Sequence, residues 1–499
     1  MASGRAAPAF PPPRPNEERL APIRERLRAI GYTERALAER LGTHLAALAP
    51  DRLPVYRARL ARCPDDLAAA AALLFFREPT PRAEAERALG AEALACLVDA
   101  GFFRRAARGA LAAEASLAPC AGLFIATGER FAPPSRDSVM YLGGDSYALA
   151  YLAPEPPKGG RVLDLCTGSG VHAILAAARG AGRALGVDVS PRAIAFARFN
   201  AALNGVAARC EFRRGDLFGP VPEGERWDLI LANPPFVPSL ASGRRRVLFR
   251  DAGPRGEDVL RRIVEALPAR LAHNGIAAIV SVFASERGRG FRRKIEDWLG
   301  PSAALDAVLF RLGAEEPEEY AASQAGGAAG AAYGRSLATL RRARIERLDG
   351  GVLALRRHPG ATPPGFRTLD AGLPPEPDPR AILRALDGLA AARSVVFPEE
   401  LLERPARRAD DLVISDDLEA REGGLAPARH RARLRSGVGG QVGISRELRA
   451  LLAAVDGARP LRAAIEAIAP ELDIAPEALA ARLFSDLVEL VERGMLVPG

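Results

Sequence analysis

From Arg161 to Ala178 the sequence reads RVLDLCTGSGVHAILAAA: a short strand pattern that runs straight into a glycine turn and then into an apolar helix. Small residues in such a turn let the backbone approach a ligand closely, and the helix start aims its unpaired N–H groups at the same place. The alternation then repeats. Strand patterns at Val162 to Leu165, Ala184 to Asp188, Cys210 to Asp216, Asp228 to Ala232, Ile276 to Phe283 and Leu305 to Phe310, with a seventh at Gly351 to Arg357, are separated by helical stretches. Strands alternating with helices predict a parallel sheet covered on both faces. Ser190 followed by Pro191 starts one of these helices, a hydroxyl cap ahead of a residue whose missing N–H costs nothing there.

Gly168, Gly170 and Ala173 satisfy GxGxxA, and Asp188 lies 18 residues beyond Gly170 at the end of the next strand. An acid there binds a ribose diol equally well in a nicotinamide dinucleotide or an S-adenosylmethionine (SAM) enzyme, so the loop leaves both open. Three further features separate the readings. Asp164, just ahead of the turn, suits a cationic amino group better than a pyrophosphate. Asp216, after the third strand, is placed to accept from an adenine amino group with Leu217 along the ring. The fourth strand delivers Asn233, Pro234, Pro235 and Phe236, a turn in which two prolines fix a carbonyl and the Asn amide toward the cleft.

Residues from about Leu142 to Arg357 resemble a class I SAM-dependent methyltransferase with an Asn-Pro-Pro-Tyr/Phe motif. That group includes the HemK-like glutamine N5-methyltransferases of release factors and of a ribosomal protein, and rRNA and tRNA base N-methyltransferases. The resemblance implies an α/β, Rossmann-like, seven-stranded core and SAM as cofactor. It implies cofactor binding by Asp164, Gly168, Gly170, Asp188, Asp216 and Leu217. GGDSYALA (143 to 150) is similar to the segment that closes over the methionine end of SAM, which adds Asp145 and Ser146. Asn233 and Pro234 are implied to hold the acceptor NH2, and Phe236 to stack on its planar group; no metal is implied. Phe236 stands where glutamine enzymes generally carry Tyr, which speaks for a base, whereas FRDAGPRGEDVL (Phe249 to Leu260) resembles the loop of HemK-like enzymes.

The flanks are less specific. At roughly 150 residues per domain, 499 residues predict about three domains. Met1 to Asn16 reads as a flexible Pro-rich tail, and residues 17 to 135 as helices ending in a hairpin at LFIATG, a winged-helix-like module. The core spans 136 to 357. His358 to Pro379, with seven prolines, reads as a linker, and 380 to 499 as a second helical, winged-helix-like module. Gly313 to Ala332 reads as a tolerated loop ahead of a mobile lid, and GVGGQVG (437 to 443) as a turn ahead of a phosphate cradle. His172 reads as packing ahead of a cofactor contact, Cys166 as a small residue under the loop, and Arg244, Arg245, Arg246, Arg250 and Arg255 as a solvated loop face ahead of a phosphate-rich substrate path.

Five cysteines without CxxC spacing argue against a disulfide framework or a zinc site, and the absence of an apolar leader or a run long enough for a membrane fits a cytoplasmic protein. Basic residues outnumber acidic ones 69 to 61, and Lys158 and Lys294 are the lysines. A formal +8 spread over this length is too dilute to announce a nucleic-acid partner.

The expectation is therefore methyl transfer to a planar NH2 of a macromolecule, a protein glutamine of the translation machinery first and an RNA or DNA base second. A NAD-dependent oxidoreductase leaves Asn233 to Phe236 without a role, and a non-catalytic binding protein leaves the whole motif series without one.

Overall fold

The computed structural model describes residues 10–12, 15–128, 130–131, 138–238, 249–301, 304–325, 330–357, 365–394, 398–421 and 424–499. Its centre is an eight-stranded sheet: β1 (Arg161–Leu165), β2 (Arg183–Asp188), β3 (Cys210–Arg214), β4 (Trp227–Ala232), β5 (Leu271–Glu286), β6 (Leu305–Glu315), β7 (Ile345–Arg357) and β8 (Phe366–Asp370). The spatial order is β8-β6-β7-β5-β4-β1-β2-β3. All seven expected strands form. The chain order turns back at β1, between β4 and β2, so the carboxyl ends of those strands open onto a crevice, the usual ligand position of such sheets.

Two features depart from the expected pattern. The sheet is mixed, because β7 runs antiparallel to both β5 and β6. The eighth strand falls within the stretch read as a linker and pairs parallel to β6 at the sheet edge. Its residues are proline-free, and the prolines that hid it lie on either side, where they interrupt nothing in the ladder.

Between β6 and β7 the expected loop contains the helix Pro317–Gln324 and leads into Ala331–Arg342; residues 326–329 lie outside the described part. Pro317 opens the first helix, and the Glu316 N–H donates to the Glu319 carboxylate at 3.2 Å, so the acidic run is a cap.

The period-2 side-chain alternation sorts the strands into two cores. Val162, Leu229, Leu231, Ala278, Val308 and Val352 face one apolar cluster; Leu163, Leu165, Ile230, Ile279, Leu309 and Leu353 face the other. The first face carries the helices α1 (Gly144–Leu152), α2 (Val171–Ala178) and α3 (Pro191–Leu203), and the second carries α4 (Asp258–Arg270).

The N-terminal helices do not keep a core of their own, since Leu20, Ile23, Leu27 and Leu37 join the first-face cluster. The hairpin Ser116–Cys120/Leu123–Thr127 is held to α3 by two asparagines one turn apart. Asn200 exchanges both amide hydrogen bonds with the Ala126 backbone at 2.8 Å, and Asn204 does the same with Phe124 at 2.9 and 2.8 Å. The exposed edge of the hairpin is thereby satisfied.

A separate apolar cluster organises residues 401 to 496. There the expected helices form as Arg446–Ala454, Leu461–Leu472 and Pro476–Glu492, and Leu496–Pro498 pairs with Ala406–Arg408. A three-stranded antiparallel sheet, Leu412–Arg421, Gly424–Leu434 and Gln441–Ile444, accompanies them. Among the described residues no helix is long and apolar enough to cross a membrane.

Lys294 is one of two lysines in an otherwise Arg-based chain, and its place explains it. The buried ammonium donates to Glu257 and to the Ala284 carbonyl, each at 2.8 Å, and forms an ion pair with Glu286 at 2.9 Å. Three oxygen partners around one nitrogen suit a compact ammonium better than a planar guanidinium fork. Glu257 precedes α4, so this knot fixes the loop that leads into the helix. Lys294→Ala leaves the buried Glu257 carboxylate without its cation, whereas Glu286 keeps Arg255, and urea unfolding should show a loss of about 3–5 kcal/mol. A loss under about 1 kcal/mol would mean the Glu257 carboxylate protonates or reaches water at little cost.

Candidate active site

At the carboxyl ends of β1, β2, β3 and β4 lies a cavity of about 310 Å³. Its floor is the glycine turn. Gly168 and Gly170 have φ of 52° and 83°, and a Cβ on Gly170 would sit 2.8 Å from that of Ala197 on α3. Cys166 (φ 57°) and Leu217 (φ 48°), neither of them glycine, are also left-handed, so this wall carries backbone strain.

Asp188 lines the cavity while its carboxylate accepts from the Gly168 N–H at 2.9 Å and the Ser190 N–H at 2.8 Å. One acid therefore shapes the turn, caps the approach to α3 and keeps lone pairs toward the cavity. Burial raises its pKa and the backbone hydrogen bonds oppose that.

Asp164, expected as a direct contact, is fully buried beneath the turn and is not on the cavity wall. Its Oδ2 accepts from the Thr167 hydroxyl at 2.5 Å and the Ala173 N–H at 3.1 Å, whereas Oδ1 has no partner. Burial pushes its pKa up to about 7; the Thr167 and Ala173 bonds pull down, and the charge of Asp188 pushes up again. Strand alternation explains the placement, since Asp164 points to the same face as Val162, under α2.

Asp216 and Leu217 stand on the wall, but both Asp216 oxygens are taken by Arg262 of α4, at 2.8 and 3.3 Å. Arg262 has no signal in the sequence, being 46 residues away. Val189, an apolar side chain 44% exposed, is a further wall group without a signal in the sequence, and it lines the same cavity as the buried Leu217.

Asn233 follows β4, lines the cavity and donates its amide N–H to Asp145 Oδ2 at 3.0 Å, with Ser146 Oγ at 3.4 Å. With its NH2 occupied by Asp145, the Asn233 side chain presents its oxygen as the group free to accept. Ser146 is on the wall and Asp145 is not, so Asp145 is a positioning residue for Asn233. Gly143 makes room for it: a Cβ there would lie 2.4 Å from Asp145 Oδ1. Burial raises the pKa of Asp145, and the Asn233 bond lowers it.

Pro234 is buried, Pro235 lines the cavity, and Phe236 is half-buried but absent from its wall. Phe236 packs its carbonyl against Gly256, where a Cβ would lie 2.3 Å away, while Val237 pairs with Asp251. The aromatic residues on the wall are Tyr141 and Phe249. Phe236 thus lies off the wall of this cavity, and its stacking on an acceptor stays an expectation.

Arg244, Arg245 and Arg246 lie outside the described residues; Arg250 donates to Gln324 at 3.2 Å and Arg255 pairs with Glu286 at 3.0 Å. His172, read as packing, is buried yet lines the cavity.

The cavity joins carboxylate acceptors, apolar surfaces and a helix N-terminus, a combination suited to a nucleoside with a charged tail. Residues 156–282 match the family model described as "Methyltransferase domain". The chain is 39% identical over 144 residues to the ribosomal protein uL3 glutamine methyltransferase of Bradyrhizobium diazoefficiens, covering 27% of this chain and 44% of that protein. It is 35% identical over 173 residues to the enzyme of that name from Bordetella pertussis, covering 32% and 57%. A release factor glutamine methyltransferase from Cereibacter sphaeroides is 42% identical over 123 residues, covering 23% and 44%. The chain spans about half the length of these curated relatives.

Proposed function

We propose that this chain is a SAM-dependent N-methyltransferase that modifies a glutamine side-chain amide in a protein of the translation machinery, in the cytoplasm. The carrying observation is the Asp145–Asn233 hydrogen bond, which turns an amide oxygen toward a cavity shaped for a nucleoside. The names of the similar proteins support the same chemistry.

The residues present fit the cofactor. Asp188 would meet a ribose diol, and Val189 and Leu217 would offer apolar contact to the base, while Asp164 beneath the turn holds Thr167 and the start of α2 in place. Gly168 has no atom closer than 3.9 Å to a hypothetical Cβ, so the turn is open on the side where a ligand approaches. When bound, SAM supplies a sulfonium methyl group.

The protein's own task is to present nitrogen. An amide nitrogen hides its lone pair by conjugation, and the Asn233 oxygen and the Pro234 carbonyl, assigned one N–H each, would hold the nitrogen with its lone pair exposed; as C–N forms and C–S breaks, one of the two N–H protons leaves to solvent. Positive charge developing on nitrogen strengthens both bonds, so their effect is larger in the transition state. Cys166 has no part in this, since burial pushes its thiol pKa up. The 17 to 135 and 380 to 499 regions flanking the 136 to 357 core are assigned to recognition of the macromolecule.

Phe249 on the cavity wall also suits a flat base, which keeps the RNA-base reading as the rival. Labelled SAM, the full chain and a cell extract separate them. We expect acceptor that survives ribonuclease and is lost to protease; the reverse would replace the protein reading by the base reading.

A further inference from the structure

We propose that His172 donates a hydrogen bond to the carboxylate at the amino-acid end of the bound cofactor. This rests on the methyltransferase reading above. His172 is 3% exposed and neither ring nitrogen has a partner, although the residue lines the cavity. Buried polar groups in folded proteins are nearly always bonded, so one that faces a cavity points to a partner held there.

The ring stands at the start of α2. Arg179, just past the end of α2, donates to the carbonyls of Ala153 at 2.9 Å and Ala150 at 3.3 Å at the end of α1, which ties the carboxyl ends of the two helices together. His172 is seven residues before Arg179, close to two turns, so both lie on the same face of α2. His172 lines the same cavity as Ser146 and Asn233, the hydrogen-bonded pair of the acceptor side. It belongs to the first turn of α2, whose N-terminus already favours an anion.

The chemistry of the ring narrows the partner. Burial pushes the His172 pKa down to about 3, helped by the charge of Arg179, so the ring is neutral with one N–H to donate. At the amino-acid end of the cofactor the ammonium and sulfonium are cationic, and the carboxylate is the group that only accepts. A neutral donor binds that carboxylate without placing another cation beside the sulfonium, which Arg or Lys would do.

The test compares S-adenosylhomocysteine with 5′-methylthioadenosine, which lacks the amino-acid end, by calorimetry on the full chain. His172→Leu keeps an apolar side chain of similar size and should weaken S-adenosylhomocysteine binding about tenfold while leaving 5′-methylthioadenosine within about twofold. Either His172→Asn or His172→Gln, each keeping a donor near one ring nitrogen, should recover most of the loss. The thermal midpoint of the free His172→Leu chain should not fall, because a buried unpaired polar ring has been removed. Unchanged S-adenosylhomocysteine affinity in His172→Leu, or equal loss for both ligands, overturns the proposal. If Leu instead unfolds the chain, Asn and Gln decide it, and weak binding by both overturns it. A native chain that binds neither ligand fails the methyltransferase reading itself.

Discussion

Replacing Asn233 with Ala should lower turnover by about 10²–10³-fold, the range seen when one preorganised polar group is removed from a transition-state contact. Affinity for SAM should stay within about threefold, because the Asn233 oxygen is assigned to the acceptor. Its NH2 is spent on Asp145 and faces away from the reaction, and Ser146 retains its place on the wall. Turnover by steady-state kinetics and affinity by calorimetry give the two numbers separately. Equal loss of both would move Asn233 to the cofactor side of the site.

Asp188→Ala should do the opposite. The native carboxylate bonds the Gly168 and Ser190 amides, so its removal takes away the assigned ribose acceptor and the bracket on the glycine turn together. Charged hydrogen bonds contribute about 1.5–3 kcal/mol each, so a fall in SAM affinity of about 100-fold is expected. Turnover at saturating SAM should fall far less. Asp188→Asn keeps an acceptor oxygen and should lie between native and Ala. If SAM affinity is unchanged in Asp188→Ala, the ribose site is elsewhere on the wall.

How much of this could be read from the sequence follows from the range of the interactions. The strands were legible because strand pairing is written in short apolar runs such as Val162 to Leu165 and Asp228 to Ala232, and the turn glycines because left-handed backbone favours glycine. β8 was not, since prolines flank it and its stabilising ladder with β6 is distant in sequence. The helices Pro317–Gln324 and Ala331–Arg342 were hidden by glycine and alanine, which carry little periodic signal. The N-terminal helices looked like a module because an apolar face reads the same whether it covers its own core or the sheet.

At the site, residue types were legible and roles were less so. Asp188 and Asn233 came to the cavity as expected, Asp164 went beneath it, and Asp145 went behind Asn233. The Asp145–Asn233 and Asp216–Arg262 contacts join residues 88 and 46 positions apart, a separation at which no local pattern is written. The asparagines that fasten the hairpin to α3 were missed for the same reason, although their four-residue spacing on one helix face is visible once α3 is known.

The most direct test of the account is to locate the transferred methyl. The full chain is incubated with labelled SAM and an extract from cells lacking it, and the labelled species is isolated, digested and sequenced by mass spectrometry. The account predicts one added methyl on the side-chain nitrogen of a glutamine in a protein, with no label when Asn233→Ala replaces the native chain. A methyl on a nucleic-acid base, or on a protein atom other than that amide nitrogen, would contradict it.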